Sequence, residues 1–214
     1  MTAMLMESGT MTPNAPPTRP IQTTTGFLLV VTGPSGAGKG TLVDHILSQR
    51  PDCVFSVSAT TRPRRSTEVE GRDYYFLSHD EFLQKEARGY FLETAEVHGH
   101  LYGTPVEAVD AHLREGKVVV LDVDVQGGAS VRRVRPDAIT VFVYPPSLDA
   151  LRARLESRGT DAPQVIEERL KNAPGELAQM SLYRYVIMND DLPRAVTALL
   201  AIHDAERTHR QRVS

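Results

Sequence analysis

The residues Gly33-Pro34-Ser35-Gly36-Ala37-Gly38-Lys39-Gly40-Thr41 follow an apolar run, Phe27 to Val31, and lead into a helical pattern. Glycines at this spacing let the backbone curl so that several N–H groups point inward. The helix that follows adds its positive amino-terminal end, and Lys39 can reach the outer phosphates of a nucleotide. The chemistry this implies is binding of a nucleoside triphosphate. The slot after the lysine, ordinarily a hydroxyl residue for a magnesium contact, holds Gly40, and Thr41 comes one residue later. A glycine-rich turn that only packs against a helix has no need of a lysine at that place.

A second cationic group stands after the next apolar run, in Ser56-Val57-Ser58-Ala59-Thr60-Thr61-Arg62-Pro63-Arg64-Arg65. Guanidinium groups bind phosphate through paired hydrogen bonds, and Pro63 stiffens the turn that carries them. An isolated trio of arginines is ordinarily a solvated surface; its place after the second strand makes it a candidate phosphate clamp.

The elements that position these residues alternate. Phe27 to Thr32 reads as a strand, Gly38 to Arg50 as a helix and Cys53 to Val57 as a short strand. Lys117 to Val123 reads as a strand buried on both faces, with Ile139 to Tyr144 and Tyr185 to Met188 as two more. Helices fit Pro105 to Glu115, Leu148 to Ser157, Pro163 to Met180 and Leu192 to His203. Such alternation predicts an α/β fold, a three-layer core with a parallel sheet, and ligands at the carboxyl ends of its strands. Asp73 to Leu77, a helix from Ser78 through Arg88, and Tyr90 to Ala95 interrupt it and predict a small strand-rich inserted lobe.

With 214 residues, 41% of them hydrophobic, the chain suits one compact unit with appendages. A formal charge of -3 supplies no overall cationic field, so no nucleic-acid partner is expected. No run approaches the ~18 apolar residues of a membrane span, and the expected location is the cytoplasm. Cys53, the single cysteine, lies among apolar neighbours and is read as a core residue without chemistry. His98 and His100, two apart with no third ligand nearby, are assigned no metal. Residues 1–25, with four prolines and no hydrophobic periodicity, read as an unstructured extension. Residues 206–214 read as a polar tail, a solvated helix end or frayed terminus.

Several motifs in order, the phosphate loop, Ser58 to Arg65, Gly71-Arg72-Asp73-Tyr74-Tyr75-Phe76, Gly103-Thr104, Leu121-Asp122-Val123-Asp124-Val125-Gln126-Gly127 and Arg154-Leu155-Glu156-Ser157-Arg158-Gly159-Thr160, resemble the guanylate kinase family over residues 26–205. The resemblance implies a P-loop core (26–58, 106–150 and 170–205), a GMP-binding lobe (59–105) and a helical lid (151–169). It implies transfer of the γ-phosphoryl of ATP to GMP with Mg2+, in purine nucleotide metabolism and GMP recycling. Arg62 and Arg65, with Tyr74 and Tyr102, are then expected to hold the GMP phosphate, and Ser58, Glu93, Thr104 and Asp124 to read guanine. Lys39 and the loop backbone would hold the ATP phosphates, with Arg154, Arg158 and Arg169 around the transferring group and Asp122 and Thr41 as metal contacts.

The residue types make sense of this. Guanine presents a carbonyl acceptor beside two N–H donors, matched by a hydroxyl such as Ser58 and a carboxylate such as Glu93; adenine reverses that edge. Phosphoryl transfer needs positioning and charge neutralisation, which Arg and Lys supply without a protein nucleophile. The chain departs from the general P-loop pattern at Gly40 and from the family pattern at Arg64 and Ser66-Thr67. Rival readings are another nucleotide or phosphosugar kinase, adenylate kinase included, and a non-catalytic guanylate-kinase-like module. Lys39 and the two phosphate arginines argue against the module, and nothing in the sequence sets an oligomeric state.

Overall fold

In chain order the elements are β1 (Phe27–Thr32), α1 (Lys39–Gln49), β2 (Cys53–Phe55), β3 (Ala59–Thr60), β4 (Tyr75–Phe76), α2 (His79–Ala87), β5 (Phe91–Val97), β6 (His100–Pro105) and α3 (Val106–Arg114). There follow β7 (Val118–Asp122), α4 (Val125–Val134), β8 (Ile139–Tyr144), α5 (Leu148–Ser157), α6 (Pro163–Leu177), a 3₁₀ turn at Met180–Leu182, β9 (Tyr185–Met188) and α7 (Leu192–Val213). This computed structural model describes residues 25–97, 99–159 and 161–213. The expected amino-terminal extension, apart from Thr25, lies outside them, as do His98 and Thr160.

Side-chain alternation builds the central layer. The five strands β2-β7-β1-β8-β9 are all parallel. Leu29, Val31, Val120 and Val141 face α1 and α7 with Leu42, Ile46 and Leu199. Leu28, Val30, Val119 and Leu121 face the other way, onto Val109 and Leu113 of α3 and Val131 of α4. A sheet clad on both faces needs apolar residues at every position, which is why β1 is buried throughout.

The inserted lobe is a second sheet of order β4-β3-β6-β5, antiparallel where β6 meets β3 and β5. Phe82 of α2 stacks on Phe91 of β5 with ring centroids 4.4 Å apart, closing a small core with Ala59. Helix α2 starts from a capping box in which Ser78 and Glu81 satisfy each other's backbone N–H. Helices α5 and α6 pack on each other through Leu151, Leu155, Ile166 and Ala173.

Three details differ from the sequence expectations. Helix α4 went unassigned because Gly127 and Gly128 sit in its first turn; Asp124 caps it, accepting from the Gly127 N–H at 2.7 Å. The strand expected over Asp73 to Leu77 shrinks to Tyr75–Phe76, because Asp73 turns back to accept from the Val69 N–H at 2.8 Å. The tail, read as a solvated helix end or frayed terminus, is the end of α7, which runs to Val213, but it is not solvated throughout. Glu206 is buried there, accepting from the Tyr185 hydroxyl at 2.6 Å and pairing with Arg184 at 2.8 Å. Among the described residues no helix is long and apolar enough to cross a membrane.

Candidate active site

The loop after β1 depends on backbone shapes that only glycine adopts without strain. Gly33 has φ +142°, and a Cβ there would lie 2.0 Å from the Val143 carbonyl oxygen. Gly38, at φ +91°, is the N-cap of α1 and offers no side chain to its orphan N–H groups, and no acidic residue occupies the first turn. No residue of the first turn itself therefore offsets the positive end of α1. Lys39 lies across the loop, donating to the carbonyls of Gly33 at 2.8 Å and Pro34 at 3.2 Å.

Gly33, Ser35 and Lys39 line one wall of a cavity of about 480 Å³, and Asp122 at the end of β7 lies beside them. Burial pushes the Asp122 carboxyl up, while Lys39 and Arg158 pull against that shift. Thr41 and Gly40 are exposed on α1, and a Cβ at Gly40 would stand 3.7 Å from Asp122 Oδ2. Pro34, Gly36 and Ala37 shape the loop from behind: the Ala37 N–H closes a turn on the Pro34 carbonyl at 3.1 Å.

The lobe lines the cavity with Tyr74, Glu93 and Tyr102, joined by Ser58 at the end of the first core segment and Asp124 at the start of α4. Glu93 is buried and accepts from the Thr104 hydroxyl at 2.7 Å. Burial lifts its carboxyl to about 7 against the pull of that hydrogen bond, and Asp124 adds to the rise. Gly127 makes room for it: a Cβ there would meet Glu93 Oε2 at 3.0 Å. Burial likewise pushes the Tyr74 phenol up to about 12, so it stays a hydrogen-bond donor.

Arg62 stands over the Tyr74 ring, 5.5 Å from its centroid, and its guanidinium donates to Glu68 at 2.6 Å. Glu68 also accepts from the Arg65 N–H at 2.8 Å, and Arg62 holds its carboxyl below the ordinary range. The Arg65 side chain is exposed. Glu68 escaped the sequence reading, although its spacing of six from Arg62 across a proline-stiffened turn was a signal.

The third wall is α6, which presents Glu168, Arg169, Asn172 and Glu176. Of these only Arg169 was singled out, yet the spacing puts all four on one helix face. Arg169 bonds Ser35 of the loop and pairs with Asp161 at 3.4 Å, and its Nε is buried with no hydrogen-bond partner among the described residues. Arg158 is exposed at the C-cap of α5. Arg154 does not line the cavity. Its guanidinium donates to the carbonyls of Asn189 at 2.6 Å and Ala37 at 3.4 Å, and Asn189 Nδ2 bonds Ala37 at 2.8 Å, so the pair braces the loop from beneath. The Cys53 thiol does not line this cavity and is pushed up to about 12 by burial.

A glycine loop between a parallel strand and a helix, facing a lobe that offers a buried carboxylate and a paired arginine, defines a P-loop protein of the nucleotide kinase class. The guanylate kinase family model matches residues 26–206. The chain belongs to the guanylate kinase family. It is 49% identical over 187 residues to guanylate kinase of Symbiobacterium thermophilum, covering 87% of this chain and 89% of that protein. It is 48% identical over 201 residues to guanylate kinase of Deinococcus radiodurans, covering 92% and 84%. The crystal structure of guanylate kinase from Anaplasma phagocytophilum superposes with a TM-score of 0.70 at 31% identity, over 87% of this chain and 88% of that one.

Proposed function

We propose that this chain is an ATP-dependent guanylate kinase, converting ATP and GMP to ADP and GDP in purine nucleotide metabolism and GMP recycling. Beyond family membership, the observation that supports this most is the buried Glu93 held by Thr104, across the cavity from the lysine of the phosphate loop. With Glu93 Oε1 taken by Thr104, Oε2 is left to accept from the ring N–H and amine of guanine. Ser58 donates to the guanine carbonyl, and Asp124 adds a second acceptor.

Arg62 and Arg65, with the hydroxyls of Tyr74 and Tyr102, hold the GMP phosphate. The loop N–H groups and Lys39, released from the Gly33 and Pro34 carbonyls, hold the ATP phosphates. A GMP phosphate oxygen attacks the γ-phosphorus, the bond to the bridging β,γ-oxygen breaks, and ADP leaves. The unpartnered Nε of Arg169 fits a developing phosphoryl charge, and Arg158 joins it as 151–169 closes over the core (26–58, 106–150, 170–205) and the lobe (59–105). Arg154 serves by holding the loop.

Magnesium fits the oxygen donors at the end of β7 and the start of α1: Asp122 would hold it, with Thr41 as a second donor in place of the hydroxyl that Gly40 lacks. Bound there, it would neutralise phosphate charge.

The test is a coupled ADP-release assay run in parallel with GMP, AMP, UMP and CMP. Turnover with GMP alone is the expected result; preference for AMP, or no turnover with any of the four, overturns the proposal.

A further inference from the structure

At the end of the sheet away from the phosphate loop, three residues of different donor type converge. Phe27, Val118 and Cys53 pair side by side as the first residues of β1, β7 and β2, whereas the loop leaves the other end of β1. Beside Cys53 stand Asp52 and, from α7, His203; one donor atom from each, an oxygen, a sulfur and a nitrogen, lies within 4.8 Å of the others. His203 is 3% exposed and Cys53 7%, while the Asp52 side chain keeps 26% of its surface and leaves an entry path.

The imidazole is already oriented as a ligand. Its Nδ1 lies 2.9 Å from Asp204 Oδ1, and Arg50 grips that carboxylate through both oxygens at 2.9 and 2.6 Å. This leaves Nε2 directed at Asp52 Oδ2, 3.2 Å away. A carboxylate behind the distal ring nitrogen is the arrangement that fixes tautomer and direction in metal-bound histidines. Arg50 and Arg207, the latter 3.4 Å from Asp52, balance the two aspartates, so an added dication is offset in part by the thiolate it creates.

We propose that Asp52, Cys53 and His203 bind one zinc-class divalent cation, which clasps α7 to the edge strand β2. A mixed sulfur, nitrogen and oxygen set suits such ions, and three protein ligands leave a fourth position for water. Binding forms a metal–sulfur bond and breaks the S–H bond of Cys53, whose proton passes to solvent. The site is structural and separate from phosphoryl transfer.

Cobalt(II) titrated into the full chain tests this, because Cys53 is the single cysteine and any thiolate-to-cobalt charge-transfer band reports on it alone. The expected result is that band, with visible absorption of a four-coordinate ion, saturating at one equivalent. Cys53→Ser is nearly isosteric; it should lose the band while keeping kinase turnover, which also shows that it folds. Asp204→Asn, which removes the carboxylate behind His203 together with its pair to Arg50, should weaken cobalt binding about 10-fold or more. Zinc should raise the melting temperature of the parent by several degrees and leave that of Cys53→Ser unmoved. Absence of the band at excess cobalt, its survival in Cys53→Ser, or an equal zinc shift in both proteins overturns the proposal and leaves the cluster as an ion-pair network.

Discussion

Thr104 donates its hydroxyl proton to Glu93 over 2.7 Å, and both side chains are buried where β5 meets β6. The bond gives a buried carboxylate a partner in place of water, and it leaves Oε2 for a ligand.

A pH dependence follows. Glu93 in the folded protein titrates at about 7, above its ordinary value, so between those two pH values the folded state holds a proton that the unfolded chain has lost. Its charge therefore lowers stability as pH rises through that window, and the penalty is complete above about 7. Guanine needs the charged form, so the KM for GMP should rise about tenfold per pH unit below 7, with the KM for ATP nearly flat. Steady-state kinetics from pH 5.5 to 8 measure both. Glu93→Gln should lose GMP use yet melt higher at pH 8; Thr104→Val should move the GMP midpoint upward.

Lys39→Ala should lower kcat on the order of 10²–10³-fold, because it removes the charge that follows the phosphate oxygens. Its bonds to the Gly33 and Pro34 carbonyls are lost as well, so the melting temperature is measured alongside. A kcat within threefold of the parent contradicts the assigned role.

Arg154→Ala should act mainly through the loop. Removing donors from the Asn189 and Ala37 carbonyls costs about 1–3 kcal/mol of stability, seen in urea unfolding, together with a higher KM for ATP. Arg154→Lys should restore at most part of either quantity, since the two carbonyls are met by separate guanidinium nitrogens. A lost kcat at unchanged stability would instead place Arg154 in the transfer step.

Gly127→Ala separates helix formation from site geometry. Alanine favours a helix by about 1 kcal/mol over glycine, yet the added methyl meets Glu93 Oε2 at 3.0 Å and both Asp124 Oδ1 and Val123 Cβ at 3.2 Å. The expected outcome is a melting temperature within a few degrees of the parent with a KM for GMP raised several-fold.

Closure of α5 and α6 over the cavity should exclude water from the γ-phosphate. Crystals of the free protein and of a complex with both nucleotides should differ in the separation between α6 and the lobe; equal separations count against closure.

Much of the architecture was legible in the linear order of residues. The apolar runs of β1 and β7 carry no polar residue before their last position, so they mark strands covered on both faces, and the glycines around Lys39 mark the loop because few other residues tolerate its backbone. The order of motifs was enough for the family. What local pattern could not supply was any property set by distant neighbours. Glu93 ends an apolar run and alone would read as a solvated carboxylate; only its pairing with Thr104 and the approach of α4 bury it. Arg154 and Arg158 occupy adjacent turns of one helix, yet Asn189, 35 residues from Arg154, turns Arg154 into a brace under the loop. Glu206 and His203 sit in a polar stretch whose burial depends on β9 and the β2 edge. Composition and period decide which segments become strand or helix because those choices are local; the direction of each charged side chain was decided by the tertiary structure, because a charge settles where a partner from elsewhere in the chain compensates its loss of water.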